Sequence, residues 1–416
     1  GRILFEIEGV DKEMAEEAAR KVAQVKKGGV TELRLDTKVE SISAVRDGFA
    51  WRIISPIETE ANFEVLEGLI NSVGTLEKAG VAADTTQTRL PDFKLSDFGL
   101  TSPAVRLSFK DDQGKASEIA FGDRSPTGAY FYVKISDDEQ IYLAESRFYF
   151  QFELALIDVR DKRYVQFDPD RLRGIELNYG SERIAIERDN IHWRLTVPME
   201  DRGDDVGVGQ FLTQLRDARI EEFVDSEDYT AAGLDKPWFQ VKLYEGENRE
   251  LNGISFGNKS GTRAYRTYLA KSMKSPHIFA ADSAFVHQLV DAGHTFRTRD
   301  VFTFNRHEVD RVELVFPDSN LAFDRQGPEQ WDVTSHENHI VTGKILEDFI
   351  DEITALRATH YIAESMDAER KTVFETNGIR IRLISKNNLL REIVVGALGN
   401  HLFASTNDRD QVLEID

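Results

Sequence analysis

Three tryptophans sit in near-copies of one hairpin, and this repetition limits the fold more than any other feature of the chain. Trp51 lies in RDGFAWRIISP, Trp193 in RDNIHWRLTVP and Trp331 in RQGPEQWDVTS, 142 and then 138 residues apart. Each comes after an alternating run (SISAVR, ERIAIER, NLAFDR) and a turn signal, Asp47-Gly48, Asp189-Asn190 or Gln326-Gly327-Pro328. Alternation, a polar turn and a second short strand predict a β-hairpin.

The segment after each hairpin recurs as well. Apolar residues at three- and four-residue steps predict amphipathic helices over Asn62 to Ala79, Gly207 to Phe223 and Gly343 to His360. Gly99-Leu100-Thr101-Ser102-Pro103 then leads into the strand AVRLSF, and Gly233-Leu234-Asp235-Lys236-Pro237 into WFQVKLY. The third copy keeps the strand, IRIRLI, but loses that lead-in. Strand pairs centred on Gly122, Gly257 and Gly396 come next, 135 and 139 residues apart. Further helices are expected near Phe148–Leu156 and Ala284–Ala292. The connectors RDKRYVQFDPDRLRGIEL and RTRDVFTFNRHEVDRVEL align Phe167 with Phe304, an offset of 137.

Independent landmarks sharing one offset predict three copies of one unit. Strands outnumber helices and pair through hairpins. The expected class is therefore α+β: three tandem repeats of a mostly antiparallel sheet packed against helices, forming an elongated array with the last repeat truncated. The expected boundaries are 30–170, 171–309 and 310–416, after an N-terminal stalk over 1–29. Within that stalk Asp11 to Lys27 reads as a charged helix ended by Gly28-Gly29.

Composition enters as a set of exclusions. The 416 residues carry 52 Lys+Arg against 73 Asp+Glu, a formal net charge of -21, which repels phosphate backbones and anionic headgroups. There is no cysteine, so disulfides, Cys-ligated zinc, iron–sulfur clusters and a Cys nucleophile are excluded. No stretch reaches the ~18 apolar residues of a spanning helix. The chain starts at Gly1 rather than Met, which points to a processed or engineered fragment.

The landmarks resemble the domain of unknown function 4340 family of bacterial envelope proteins. The resemblance rests on Trp51/Pro56 and Trp193/Pro198, the Gly-Leu-x-x-Pro lead-in, and the Gly122-Asp123…Pro126-Thr127-Gly128 loop followed by Tyr130 and Tyr132. It also rests on Leu156-x-x-x-Arg160-Asp161-Lys162-Arg163 running to Phe167. It covers about Val30 to Asp416 and is densest in the first repeat. The resemblance implies an N-terminal membrane helix, absent from this chain, with the bulk on the extracytoplasmic face. It also implies a place beside ABC-2-type and gliding-motility-like transporters. Ile3-Leu4-Phe5-Glu6 looks like the ragged exit of such a helix. No catalytic residues carry over from the family.

The chemical candidates each have a plainer reading. His336-x-x-His339 lacks the i,i+4 spacing and third ligand of a zinc site and reads as a solvated loop. Asp111-Asp112, Asp137-Asp138-Glu139, Asp204-Asp205 and Glu221-Glu222 read as turns and polar helix faces. Asp84-Thr-Thr and Asp408-Arg-Asp410 fall short of a calcium loop. Gly207-Val208-Gly209 reads as helix punctuation and Gly122 to Gly128 as a hairpin turn before an anion cradle. Tyr130, Phe131 and Tyr132, and Phe148, Tyr149, Phe150 and Phe152, read as packing before a stacking platform. Trp51, Trp193, Trp331, Gly122, Gly257, Gly396, Phe167 and Phe304 are then structural landmarks, with no catalytic, cofactor or metal residues expected.

The leading expectation is a non-enzymatic scaffold or adaptor of the bacterial envelope, periplasmic and membrane-anchored in its full-length form. Its expected partners are transporter subunits, with no nucleic acid and no cofactor. A periplasmic glycan- or peptide-binding module is the alternative, which a deep aromatic-lined cleft would favour. An acidic-pair hydrolase is third, and a cleft carboxylate with a raised pKa would favour it.

Overall fold

A computed structural model describes residues 16–23, 25, 28–84, 94–224, 226–260, 266–334, 343–363, 368–408 and 411–415. They form a sheet-rich α+β structure with three antiparallel sheets. The first runs from edge to edge through Thr59–Glu60, Ala50–Ser55, Ser41–Asp47, Val30–Thr37, Val105–Asp111, Ala116–Arg124, Tyr130–Ile135, Gln140–Glu145 and Gly80–Asp84. The second repeats that order with Asp201–Arg202, His192–Val197, Glu182–Asp189, Leu172–Tyr179, Phe239–Glu245, Glu250–Ser260, Thr267–Ser272, Ile278–Asp282 and Glu222–Val224. Among the described residues the third has eight strands. They are Gln330–Val333, Asn320–Gly327, Arg311–Val315, Ile379–Ser385, Asn388–Leu398, His401–Thr406, Val412–Ile415 and Ala358–Ala363.

The chain divides into two compact units. One comprises Gly1–Gln166, Arg216–Trp238 and Asn252–Ser283, the other Phe167–Leu215, Phe239–Leu251 and Ala284–Asp416. In the first unit, strand alternation sends Leu33, Leu35, Ile42, Ala44 and Ile53 to one face of the first sheet. Leu66, Leu69, Ile70 and Val73 of helix Phe63–Thr75 join them in one core, with Phe121, Phe131 and Val133 from the strands beyond. The Asn62 carboxamide starts that helix by accepting from the amides of Glu64 and Val65 at 3.1 and 3.3 Å. The other face of the sheet carries charged cross-strand pairs, such as Arg106–Glu118 and Lys110–Glu32, both at 3.0 Å.

Several expectations from sequence need correction. The predicted helices stop early, at Thr75, Asp217 and Ala355, and the middle one starts at Asp205. The residues after each helix form a further strand, Gly80–Asp84, Glu222–Val224 or Ala358–Ala363. It pairs with the last strand of its hairpin series and closes the far edge of the sheet. The expected helix near Phe148–Leu156 is a 3₁₀ segment, Ser146–Phe152, then a single α turn, Leu156–Val159. Tyr149 and Phe152 are both buried, and a three-residue repeat stacks them on one side. The second expected helix is present as Ser283–Gly293.

Of the N-terminal stalk, residues 16–20 are helical. Lys21 instead bridges Glu77, and the Val22 amide donates to the Leu76 carbonyl at 2.8 Å, which buries Val22. A partly extended backbone there gains hydrogen bonds that a lone charged helix lacks. The third copy, which lost the Gly-Leu-x-x-Pro lead-in, has helix Ala368–Thr376 before its strand.

Candidate functional site

The hairpin register explains what surrounds each tryptophan. Arg46 is the cross-strand partner of Trp51, Arg188 of Trp193 and Arg325 of Trp331. Each guanidinium therefore lies over an indole, at 4.6, 5.0 and 4.6 Å from the ring centre. In the first sheet the helix adds Glu67, which accepts the Trp51 indole N–H at 2.8 Å and pairs with Arg46. In the third, Glu347 accepts the Trp331 indole N–H at 2.8 Å and pairs with Arg325 and Arg306, both at 2.9 Å. Burial alone would raise the Glu347 pKa, but these hydrogen bonds and charges outweigh it and hold it low. The same helical position after Trp193 is Gly209. Sequence reading found the tryptophans and missed their partners. The available signal was an arginine five or six residues before each tryptophan and a glutamate sixteen after two of them.

The glycine landmarks mark close approaches. A Cβ on Gly122 would overlap the Phe98 carbonyl oxygen, and one on Gly257 the Ala232 carbonyl oxygen. In both cases the loop carrying the Gly-Leu-x-x-Pro lead-in lies directly on the strand. At Gly396 the neighbours are instead the side chains of Val373 and Phe374, from the helix that replaces that lead-in. Phe304 packs against two clusters of the second unit and Phe167 is half-buried. The residues just before them, Tyr164 and Val165, and Val301 and Phe302, are the buried ones.

The acidic candidates serve as local punctuation. Asp111 accepts the amides of Gln113 and Lys115 in a turn, and Asp204 accepts the Gly207 amide. Asp205 accepts the Trp193 amide at 2.8 Å and pairs with His192 at 2.6 Å. Asp138 accepts from the Tyr142 hydroxyl, and burial plus that bond push the tyrosine up to about 12. Among the Tyr130–Tyr132 aromatics Phe131 is fully buried, whereas Phe150 of the other cluster is exposed. His336 and His339 lie outside the described residues, as do Asp410 and the two threonines after Asp84. Among the described residues no group of three or more His, Asp or Glu is arranged to hold a metal ion. Glu60 is one carboxyl whose pKa is raised, by burial and then by nearby Asp161, with Gln166 donating to both.

A cavity of about 780 Å³ stands out in the second unit. Its wall comes from the Trp193 hairpin, the segment Glu200–Val206, the connector residues Thr298, Asp300 and Thr303, and the turn holding Asn407 and Asp408. Seven carboxylates line it, those of Asp189, Glu200, Asp201, Asp204, Asp205, Asp300 and Asp408, against Arg194, Arg202 and His192. Several are anchored: Asp201 by Arg297 at 2.6 Å, Asp300 by Arg357 at 3.2 Å, and Asp408 by Arg202 and Arg391 at 3.7 and 3.6 Å. The corresponding place in the first unit has the opposite sign at two positions. Bridges Arg163–Arg219 and Asp300–Arg357 align Arg163 with Asp300. The turns after strands Thr267–Ser272 and His401–Thr406 align Lys274 with Asp408.

Comparison with known families yields one assignment. The model of the family described as Domain of unknown function (DUF4340) matches residues 51–237 and again residues 193–371. The two matches begin on Trp51 and Trp193, the hairpin landmarks, and the chain belongs to this family. No curated protein and no solved structure matches the chain.

Proposed function

We propose that this member of the family is a non-enzymatic scaffold or adaptor of the bacterial cell envelope, accessory to an ABC-2-type transporter complex. The chain is taken as three tandem repeats, 30–170, 171–309 and 310–416, each a sheet with helices against it. One observation carries the reading. The residues that recur between repeats are spent on packing: tryptophans under arginines, and glycines beneath a crossing loop or helix. A chain that repeats its architecture while varying its surface charges is suited to presenting several faces to partners. The extracytoplasmic face as location and the transporter as partner are part of this proposal, in keeping with the family resemblance. Among the described residues no helix is long and apolar enough to cross a membrane.

The test is affinity purification of the protein from envelope extracts of its source cells after gentle crosslinking. Recovery of ABC-2-type transporter subunits in stoichiometric amount is the expected result. Repeated recovery of no envelope protein would sink the scaffold reading. Measurable hydrolysis that is lost in Glu60→Gln would replace it with the acidic-pair enzyme.

A further inference from the structure

The geometry points to an open seat on the third sheet, beside helix Gly343–Ala355, that takes a basic amphipathic helix of a partner protein. This deepens the scaffold reading and rests on it for the partner's place in the envelope. The argument starts from what covers the same place on the other two sheets. In the first, the segment after the last hairpin strand joins the core: Phe152 stacks on Phe121 with ring centres 4.4 Å apart, and Tyr149 meets Phe131 at 5.3 Å. In the second, Phe296, just beyond helix Ser283–Gly293, meets Phe211 edge-on at 5.0 Å. A Cβ on Gly207 of that sheet's helix would lie 3.0 Å from the Thr295 carbonyl oxygen. Both covers are tied in the same way to the residue before the helix. The Asn62 amide donates to the Val159 carbonyl at 2.7 Å, and the Asp204 amide to the Phe296 carbonyl at 2.8 Å.

On the third sheet the matching positions are uncovered among the described residues. Glu67 and Glu347, each sixteen residues after its tryptophan, set the register between the helices, and the strand pairings set it between the sheets. Ile345 stands where Gly207 does and is 60% exposed, and Leu402 stands where Phe131 does and is 39% exposed. Phe349 and Val395 take the places of Phe211 and Phe121 but are only half-buried. Both already pack on the cluster holding Ile353, Ile393 and Ala404, so an incoming apolar side chain extends an existing core. Helix Ala368–Thr376 leaves this face free, because its Phe374 packs with Phe403 and Val412 in a separate cluster.

Charge selects the occupant. Glu352 and Asp348 come next to Ile345 and Phe349 around the helix, on its solvent side, and both are exposed. Among the described residues neither is in an ion pair, unlike Asp351 farther round, which pairs with Arg306. The same positions hold Ser72 and Gly68 in the first helix and Gln214 and Gln210 in the second. The acidic border therefore belongs to the uncovered copy alone. An apolar seat bordered by carboxylates matches a helix with large apolar side chains at three- and four-residue steps, flanked by Lys or Arg. A second copy of this chain fits poorly, since two chains of net charge -21 repel each other.

The experiment is fluorescence anisotropy of the full chain with labelled peptides built on SAFVHQLVDAGHTF, the cover of the second sheet. One keeps the apolar residues and carries lysine at the polar positions, one carries glutamate there, and one scrambles the lysine peptide. The lysine peptide is expected to bind at least about fivefold tighter than the glutamate one, with the scrambled peptide not binding. Ile345→Ser with Leu402→Ser is expected to weaken binding at least about tenfold. Asp348→Asn with Glu352→Gln, on exposed positions, is expected to remove the preference for lysine over glutamate, so a folding failure of the first pair does not end the test. Phe49→Ser, at an exposed aromatic in the turn of the Trp51 hairpin, is expected to leave binding unchanged. No binding, equal binding of the scrambled peptide, or equal loss in Phe49→Ser would overturn the seat. So would self-association in sedimentation that Ile345→Ser abolishes, which would give the seat to a second copy. None of these outcomes decides the scaffold reading, which stands or falls on purification with transporter subunits.

Discussion

The hairpin tryptophans of the first and second sheets share a register but differ in their support. Trp51 has Arg46 above its ring and Glu67 bound to both its indole N–H and that arginine. Trp193 has its arginine, Arg188, but the helix offers Gly209 where the glutamate would be. Both rings are nevertheless buried, at 2% and 4% exposure. The difference separates two roles that the repetition alone would merge. Burial of the ring is common to every copy, whereas the carboxylate clamp is an addition that the middle copy does without. The second sheet keeps its own buried carboxylate elsewhere: Glu176 is bound by Arg183, Lys242 and Asn178 at 2.7, 2.9 and 2.8 Å.

If burial is the shared term, Trp51→Ala and Trp193→Ala should each cost about 3–5 kcal/mol in denaturant unfolding. A cost under ~1 kcal/mol at Trp193 alone would break the comparison. Glu176 gives the next largest effect. Burial favours its neutral form, but the hydrogen bonds from Arg183, Asn178 and Lys242 prevail and bring its pKa from 4.5 to about 2. A depressed carboxyl stabilises the fold above its unfolded pKa and loses that contribution as pH falls through the folded value. Melting temperature should therefore drop between pH 4.5 and 2, by a share worth about 3 kcal/mol that Glu176→Gln removes. An unchanged acid slope in that variant would place the second sheet's polar support elsewhere.

Glu67→Ala should cost about 2 kcal/mol, since it leaves Arg46 and the indole N–H without their shared acceptor. The smallest effect should be a gain. Gly209→Glu supplies the missing clamp and removes a helical glycine, which together should add about 1 kcal/mol. Loss of stability there would show that the second hairpin has closed over the position.

The hairpins were legible in the sequence because both strands and their turn lie within about fifteen residues, so alternation and turn chemistry are local signals. The antiparallel, sheet-rich character and the recurrence of its landmarks were legible because tryptophan and glycine landmarks tolerate few substitutes: a Cβ at Gly122 or Gly257 meets a carbonyl. The far-edge strands were not. Gly80–Asp84 pairs with Gln140–Glu145 across some sixty residues, and GVAAD carries no alternation strong enough to separate it from the end of a helix. The 3₁₀ segment Ser146–Phe152 resembles a helix in sequence because aromatic spacing of three serves either form. The acidic cavity was beyond reach for another reason. Its carboxylates come from four separate stretches of chain, and the sign change at Asp300 and Asp408 appears only once the connectors are superposed by their bridges.

The closing strand also decides how the chain can be cut. Each sheet is finished by the residues just after its helix, paired to the strand that ends its hairpin series. A fragment ending just past the strand that follows the helix would carry that closing strand with nothing to pair against. One starting at a glycine hairpin would expose the facing edge instead, and open edges recruit other chains. Proteolysis or truncation inside a repeat should therefore yield aggregation rather than a smaller folded piece. The smallest fragment that folds cleanly has to contain both the helix and the last hairpin of one sheet.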